Sequence, residues 1–301
     1  NEPHEKRFDW IPGDIKLNEN AETVYFVGCS TSYRIQKNAI TTMRILNAAG
    51  VDFKVLGSEE FCCGSPVIRT GDKKSFIDIL NVNMDKIEAM GIKTMLFSCA
   101  GCYDTFKVEY PIYRKFDVTL LSTIEFFERL IDDGRIKLVK DVPLTVTYHD
   151  PCHLGRNNEL YEEWDGDTVP MIPLVSMNVP PKPKRCGSHG VYDAPRNILE
   201  KIPGLKLVEM ERIREYSYCC GAGGGVKAAF PEFALNTAET RLEEAEDTGA
   251  ETLVSDCPFC EMNLKDGIKA RDSSLKYYDI SEILAMAMGI IDATKNGGVS
   301  D

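Results

Sequence analysis

The sequence predicts an α/β protein made of two pseudo-symmetric lobes, each a small parallel sheet flanked by helices. Short apolar runs of strand length alternate with helix-length segments, which is the pattern of parallel sheets with right-handed crossover connections. A set of five cysteines, arranged around a Cys-Cys-Gly sequence, occurs in each half of the chain. The repeated order indicates that the second half duplicates the first.

The first lobe is predicted over residues 23–142, after a charged lead-in at 1–22 that we expect to pack loosely on it. Its short apolar runs predict strands at 24–27, 53–56, 94–97 and 118–121. Apolar residues at helical spacing predict helices at 35–49, 72–90, from 100 onward and at 124–132. Gly50 and Gly91 end the first two helices.

The second lobe, residues 143–301, repeats this order. Predicted strands lie at 144–148, 206–208, 252–255 and 276–278, and predicted helices at 195–201, 229–248, 259–269 and 280–288. The first cysteines of the two halves are 123 residues apart, whereas the cysteine pairs are 157 apart, so about 34 residues are inserted. We expect this insert, at about 157–188, to be a surface loop or arm, because it has no strong hydrophobic period.

Ten of the 11 cysteines belong to the duplicated pattern. The first set is Cys29, Cys62, Cys63, Cys99 and Cys102, and the second is Cys152, Cys219, Cys220, Cys257 and Cys260. A tetrahedral zinc site or a single iron–sulfur cubane takes four protein ligands, so five thiols indicate a larger metal centre. Disulfide frameworks belong to much shorter secreted chains. Spacing alone leaves zinc sites and buried structural thiols open as alternatives.

The residues around the cysteines favour a site in which thiolates and backbone N–H groups converge. Both sulfurs of a Cys-x-x-Cys segment can turn toward one centre, whereas adjacent cysteines in an extended segment point to opposite sides and suit different metal atoms. Glycine after such a pair allows positive φ and removes side-chain bulk. We therefore predict that Gly64, Gly221 and Gly223 contribute to cofactor binding through N–H groups directed at thiolate or sulfide.

The duplicated pattern of Cys, Cys-Cys-Gly and Cys-x-x-Cys resembles the cysteine-rich (CCG) domain of heterodisulfide reductase catalytic subunits. The segments His-Asp-Pro-Cys-His-Leu-Gly-Arg at 149–156 and Cys-Cys-Gly-Ala-Gly-Gly-Gly at 219–225 are similar to motifs of its second repeat. The resemblance covers about residues 24–289. It implies that each five-cysteine set binds one non-cubane [4Fe-4S] cluster.

The resemblance implies an iron–sulfur oxidoreductase subunit that takes electrons singly through two clusters and reduces a disulfide. The implied partners are other redox subunits, of ferredoxin-like, flavin or cytochrome b type, and a small disulfide or thiol substrate. The alternative is an electron-relay subunit without disulfide chemistry, related to complexes of sulfite reduction, acyl-CoA oxidation or hydroxy-acid oxidation. Both cysteine sets are complete, which favours the first interpretation. A structural zinc protein is a third, non-enzymatic hypothesis.

The candidate catalytic residues flank Cys152, and they are His149, His153 and Arg156. The ordinary histidine pKa of about 6.5 would let either histidine tune a cluster or transfer protons. Both could equally satisfy backbone groups around a tight loop. Arg156 could face an anionic substrate or an acidic neighbour. Cys186, the one cysteine outside the pattern, is expected to be a bystander.

Composition restricts the function further. The net charge is −12 and no basic block is present, which weighs against nucleic-acid binding. No apolar run approaches the roughly 18–20 residues of a membrane helix, so we predict no direct membrane insertion. We expect a cytoplasmic protein of anaerobic metabolism that reaches a membrane only through a partner. The polar, linker-like start leads us to expect the C-terminal part of a longer protein. In one branch of the family that the chain resembles, a ferredoxin-like domain precedes this point, which makes an iron–sulfur protein the expectation here.

Overall fold

The computed structural model of the protein describes residues 7–160 and 162–291. The strands of its first half are Thr23–Phe26 (β1), Thr94–Phe97 (β2) and Thr119–Ser122 (β3), which form a parallel sheet in that order. The helices are Cys29–Arg34 (α1), Gln36–Ala48 (α2), Ser65–Arg69 (α3), Lys73–Ala89 (α4), Ala100–Asp104 (α5), Tyr110–Tyr113 (α6) and Thr123–Asp132 (α7). A π-helical turn, Thr105–Glu109, joins α5 to α6.

The strands of the second half are Thr145–Tyr148 (β4), Asp167–Ile172 (β5), Val175–Val179 (β6), Lys206–Leu207 (β7), Thr252–Ser255 (β8) and Lys276–Asp279 (β9). Four of them form a parallel sheet in the order β7-β4-β8-β9, and β5 and β6 form a separate antiparallel hairpin. The helices are Asp193–Lys201 (α8), Val226–Ala229 (α9), Pro231–Asp247 (α10), Pro258–Ala270 (α11) and Ile280–Ala287 (α12).

These two small parallel sheets, flanked by helices, confirm the predicted α/β fold with two lobes. The strand predicted at 53–56 is too long, because this segment pairs with the sheet only through one parallel bridge between Val24 and Lys54. The chain leaves the sheet there to enter a 3-10 turn at Gly57–Glu59. The two-residue strand β7 takes the corresponding edge position beside β4, so the pseudo-symmetry extends to this short strand.

The helix after the last strand of each half begins with a capping box. Ser122, at the end of β3, caps α7 and forms a capping box with Glu125. Asp279, at the end of β9, caps α12 and forms a capping box with Glu282. Each box satisfies free backbone N–H groups of the first turn, so both helices begin immediately after their strands.

The two lobes share their hydrophobic cores. Helix α2 packs against α12, and α7 packs against α8. Because α2 corresponds to α8 and α7 to α12, these two contacts are related by the pseudo-symmetry. They bury side chains of both halves in one cluster, for example Met43, Phe127, Ile198 and Ile283. A second core contains α4, α10 and α11 together with six of the patterned cysteines.

The described part of the lead-in packs closely on the first lobe, so the expectation of loose packing is wrong there. Ile15 belongs to the core, and Phe8, Trp10 and Ile11 pack against it. Arg7 is only 2% exposed. The residues that make these contacts are not spaced with the period of a helix or a strand, so the sequence pattern does not predict that they are buried.

The insert projects a hairpin from the second lobe. All residues of β5 are exposed, and apolar side chains at the tip, such as Ile172 and Leu174, contact little of the protein. At its base, Trp164 Nε1 donates a hydrogen bond to the Pro180 carbonyl at 2.9 Å. Among the described residues, none of the helices has the length and apolar character needed to cross a bilayer.

Candidate metal centres

The first cysteine set lies at the carboxyl-terminal edge of the first sheet. Cys29 begins α1 shortly after β1, and Cys99 and Cys102 follow β2 at the start of α5. Cys62 and Cys63 lie in the loop before α3. Parallel strands bring their carboxyl ends to one edge, so three segments distant in sequence meet there. Cys63, Cys99 and Cys102 are buried, and the other two thiols are half-buried.

The second set has the same placement in the second lobe. Cys152 follows β4, and Cys257 and Cys260 follow β8 at the start of α11. Cys219 and Cys220 lie in the loop before α9. Its burial pattern also repeats that of the first set, because Cys220, Cys257 and Cys260 are buried and the other two are half-buried.

Within each set, every thiol is in hydrogen-bonding contact with the next. The order in the first set is Cys29, Cys62, Cys63, Cys102 and Cys99. The order in the second set is Cys152, Cys219, Cys220, Cys260 and Cys257. Corresponding positions therefore make corresponding contacts, although the two sets come from separate halves of the chain.

These contacts suit a bound cation. A hydrogen bond with Cys62, followed by burial, raises the pKa of Cys29, whereas hydrogen bonds from Cys152 and Cys220 lower the pKa of Cys219. Thiols so close together cannot all ionise by themselves, because each thiolate disfavours the next. Metal ions supply the positive charge that allows the whole set to ionise. Five soft thiolates fit an iron–sulfur centre, since tetrahedral zinc uses only four.

Two of the three predicted glycines direct N–H groups at thiols. Gly64 N donates to Cys62 Sγ at 3.4 Å, and Gly221 N donates to Cys219 Sγ at 3.3 Å. Their φ angles are +82° and +85°, a region in which side chains other than glycine are strained. Gly223 borders His153 instead, with the position of a Cβ 3.9 Å from His153 Nε2.

A buried ion pair that sequence reasoning missed lies beside the first set. Arg7 donates to the carboxylate of Glu60 and, at 2.9 Å, to its carbonyl oxygen. The same carboxylate accepts the N–H groups of Val27 and Gly28, both at 2.9 Å. The Arg7 cation also interacts with the Cys29 thiol. Burial raises the pKa of Glu60, and Arg7 and the two N–H groups oppose this effect.

His149 lies in the interior beside the second set. It is 1% exposed, and its Nδ1 is 3.1 Å from the Nε of Arg241. One of its ring nitrogens lies within 4.8 Å of the Sγ atoms of Cys220 and Cys260. Burial, and then the Arg241 cation, lower the pKa of His149 to about 3, so the ring is neutral at physiological pH.

His153 lies where the cysteine edges of the two halves meet. Its Nδ1 is 2.8 Å from Oδ2 of Asp104, which belongs to α5 just after the first set. Arg69 donates to the same oxygen at 2.6 Å. Gly225 of the second half also approaches Thr70 of the first half, because the position of a Cβ on Gly225 is 3.7 Å from Thr70 Cγ2. The structure therefore brings residues next to both cysteine sets into one polar junction.

A cleft of about 690 Å³ lies beside this junction. Its lining includes Lys107, Asn158, Glu159 and Arg185. Asn158 also donates to the His153 carbonyl at 3.1 Å, which connects the wall of the cleft to the junction.

The remaining candidates lie outside this junction. Arg156 donates to the carbonyls of Glu215 and Ser217, at 3.2 and 2.6 Å, and so holds the segment that leads to Cys219. Substrate contact by Arg156 stays a hypothesis. Cys186 is exposed and lies 3.3 Å from the Ser188 hydroxyl, apart from both sets.

Comparisons with known proteins agree with this arrangement. Residues 23–107, 146–194 and 184–265 match the family described as CCG, cysteine-rich domain. The chain is 39% identical over 291 residues to a subunit of the dihydromethanophenazine:CoB–CoM heterodisulfide reductase of Methanosarcina mazei. That match covers 94% of the chain and 63% of the relative, so the chain spans less than two thirds of the relative's length.

Other relatives carry different names. The chain is 34% identical to a subunit of the fumarate reductase (CoM/CoB) of Methanothermobacter marburgensis, over 91% of the chain and 48% of that protein. It is 31% identical to the EtfAB:quinone oxidoreductase of Syntrophomonas wolfei, over 89% of the chain and 34% of that protein. Among solved structures, the chain was matched to the aspartate racemase of Picrophilus torridus, over 89% of the chain and 93% of the racemase. The TM-score is 0.38 and the sequence identity is 12%, so the similarity is weak.

Proposed function

Because the chain belongs to the family of CCG cysteine-rich domain proteins, we propose that it is the iron–sulfur part of a heterodisulfide-reductase-type oxidoreductase. In this proposal each cysteine set binds one non-cubane [4Fe-4S] cluster, and the two clusters together serve the reduction of a disulfide. One observation carries the proposal: two sets of five thiols make corresponding contacts at two corresponding sheet edges.

The proposed ligands are the five cysteines of each set. They are Cys29, Cys62, Cys63, Cys99 and Cys102 for the first cluster, and Cys152, Cys219, Cys220, Cys257 and Cys260 for the second. When bound, the clusters would supply single electrons and Lewis-acidic iron for the sulfur atoms of the substrate. Gly64 and Gly221 would assist through the N–H groups that already point at Cys62 and Cys219.

The junction between the two cysteine edges is the proposed place of substrate reduction. A disulfide takes up two electrons and two protons to give two thiols, so a proton donor is needed there as well as metal. The Asp104 carboxylate can accept only from an N–H group, which places one ring proton of His153 on Nδ1. Its Nε2 is then the atom that would hold and deliver a proton. The neighbouring cleft is the proposed approach for the substrate.

Electrons would come from another redox subunit of a complex, of ferredoxin-like, flavin or cytochrome b type. We place the protein in the cytoplasm, with contact to a membrane only through such a partner. A second candidate function, electron relay without disulfide chemistry, is favoured by the relatives named as a quinone oxidoreductase and a fumarate reductase subunit.

The test begins with anaerobically prepared protein. We expect about eight irons and matching acid-labile sulfide per chain, because two five-thiol sets bind two four-iron clusters. Stoichiometric zinc, or only four irons, would contradict the two-cluster proposal. With reduced viologen as donor and a small disulfide as acceptor, we expect thiol production. Clusters that accept electrons from viologen without producing thiol would favour the electron-relay function.

Variants at matched positions sharpen this test. Cys63→Ser and Cys220→Ser each remove a buried thiol from one set, and each should abolish disulfide reduction while the other cluster can still be reduced by viologen. Cys186→Ser removes an exposed thiol outside both sets and serves as the control. Loss of iron from the control would mean that the ligand assignment is wrong.

A further inference from the structure

The two cysteine sets differ in the residue that lies three positions before the first cysteine. In the second half this residue is His149, which follows β4 and is 1% exposed. In the first half it is Phe26, which is fully buried and packs against Phe97 and Phe106 at centroid distances of 5.5 and 5.2 Å. The pseudo-symmetry of the fold is therefore broken by a polar ring at only one of the two sites.

The contacts of His149 determine which of its nitrogens carries the proton. Arg241 Nε lies 3.1 Å from His149 Nδ1, and a guanidinium group can donate but never accept a hydrogen bond. Nδ1 must therefore present its lone pair. The proton of the neutral ring lies on Nε2.

Arg241 is held firmly in this position. It is fully buried, and its Nη1 donates to the carboxylate of Glu244 and, at 2.9 Å, to the carbonyl of Arg212. Its Nη2 donates to the hydroxyl of Ser217 at 3.2 Å. The guanidinium cannot turn away from His149 without giving up these contacts, so the tautomer is fixed.

The other nitrogen of His149, Nε2, is buried and has no hydrogen-bond partner among residues 7–160 and 162–291. One ring nitrogen of His149 lies within 4.8 Å of the Sγ atoms of Cys220 and Cys260. Because Nδ1 already accepts from Arg241, we infer that Nε2 is the nitrogen available to these sulfur atoms. A buried N–H group without a partner is costly, so a sulfur acceptor at this place accounts for the histidine.

We propose that the Nε2–H group of His149 donates a hydrogen bond to a sulfur atom of the second centre, either a thiolate of Cys220 or Cys260 or a cluster sulfide. This inference rests on the proposed function, because it requires an iron–sulfur cluster in the second set. An N–H donor withdraws negative charge from the sulfur and stabilises the reduced cluster. The second cluster is therefore easier to reduce than it would be with phenylalanine at this position. His149 is a positioning and tuning residue, and not a ligand, because Nε2 carries the proton.

The experiment compares His149→Phe, His149→Gln and the wild type as anaerobic proteins that contain their clusters. We expect His149→Phe, which copies the first half, to weaken reduction of the second cluster about tenfold, equivalent to about 59 mV for one electron. Redox titration followed by electron paramagnetic resonance would show this, with Cys63→Ser and Cys220→Ser used to assign the signals. The first cluster should be unchanged. His149→Gln keeps an N–H donor and should recover part of the shift.

Iron content and nitrogen coupling separate the possible outcomes. Full iron with an unchanged second potential would overturn this inference alone, whereas wild-type protein without iron–sulfur clusters would overturn the proposed function itself. Loss of half the iron in His149→Gln would identify His149 as a ligand and overturn the donor role. If a variant fails to fold, pulsed resonance on wild-type protein with 15N-histidine decides. Weak coupling that is retained in His153→Asn and in the exposed control His189→Gln supports the donor, and absent or strong direct coupling refutes it.

Discussion

Removing the buried cation Arg7 should destabilise the protein strongly, although this residue lies outside both cysteine sets. The side chains of Arg7 and Glu60 are 1% and 0% exposed. In Arg7→Met the Glu60 carboxylate loses its only described cationic partner and keeps the N–H groups of Val27 and Gly28. A buried charge without its partner typically costs about 3–5 kcal/mol. Because two N–H donors remain, we expect a loss near the lower end, about 3 kcal/mol in the free energy of unfolding.

The loss should depend on pH. Burial already raises the pKa of Glu60, and Arg7 opposes that effect, so the pKa rises further in Arg7→Met. The folded variant then retains a proton that the unfolded chain releases above about pH 4.3. Unfolding free energy falls as pH rises through this window, because the unfolded state binds fewer protons there. The deficit relative to the wild type should therefore be larger at pH 7 than at pH 5.

Urea denaturation followed by circular dichroism, at both pH values, measures this effect. The matched control is Arg44→Met, which removes an arginine paired with Asp14 where the side chains are 37% and 58% exposed. Solvent screens such an exposed pair, so its loss should change the stability little. Arg7→Met combined with Glu60→Gln removes both charges and should recover part of the stability. An Arg7→Met variant no less stable than the control would refute the reasoning.

Three further predictions concern the site and the insert. Replacing Asp167–Val179 by a short flexible linker should leave the iron content unchanged, because the hairpin is exposed and its closure costs little entropy; iron loss would show that it supports a centre. Gly221→Ala should lower the iron content toward four per chain, because a Cβ at this position lies 2.6 Å from the Ala234 carbonyl oxygen. The control is Gly224→Ala, which also has a positive φ but has no atom within 4 Å of the added Cβ, and it should keep eight irons. His153→Asn should slow disulfide reduction with full iron retained, and unchanged thiol production would remove His153 from the proposed proton transfer.

The placement of the patterned cysteines at the sheet edges could be predicted because it has local signals in the sequence. Each cysteine segment comes next to a strand or a glycine turn, and parallel sheets bring such segments to one edge. The predicted strand at 53–56 was too long because an edge segment needs only one or two backbone pairs, as at Lys54. The hairpin of the insert escaped prediction because β5 and β6 are exposed on both faces, so no core imposes an alternation of apolar and polar residues.

The charged groups around the centres could not be predicted, because their partners are distant in sequence. Arg7 and Glu60 are 53 positions apart, and Arg241 and His149 are 92 apart. No motif connects them, and an arginine on a helix or in a lead-in is usually exposed. Asp104 was equally hidden, although it follows Cys102 by only two positions, because its partner His153 comes from the other half.

Arginine–carboxylate pairs lie near both cysteine sets, whereas the imidazole of His149 lies beside the second set. Near the first set, the Arg7 charge is balanced by Glu60, which accepts the N–H group of Val27. In the second half the position corresponding to Val27 is Asp150, whose carboxylate accepts from Arg196 at 2.7 and 2.9 Å. Both halves thus place a carboxylate paired with arginine behind the first cysteine, although Arg196 also pairs with Glu209. The N–H group of His149 has no counterpart in the first half, since Phe26 offers no donor, so the proposed hydrogen bond would tune the second centre alone.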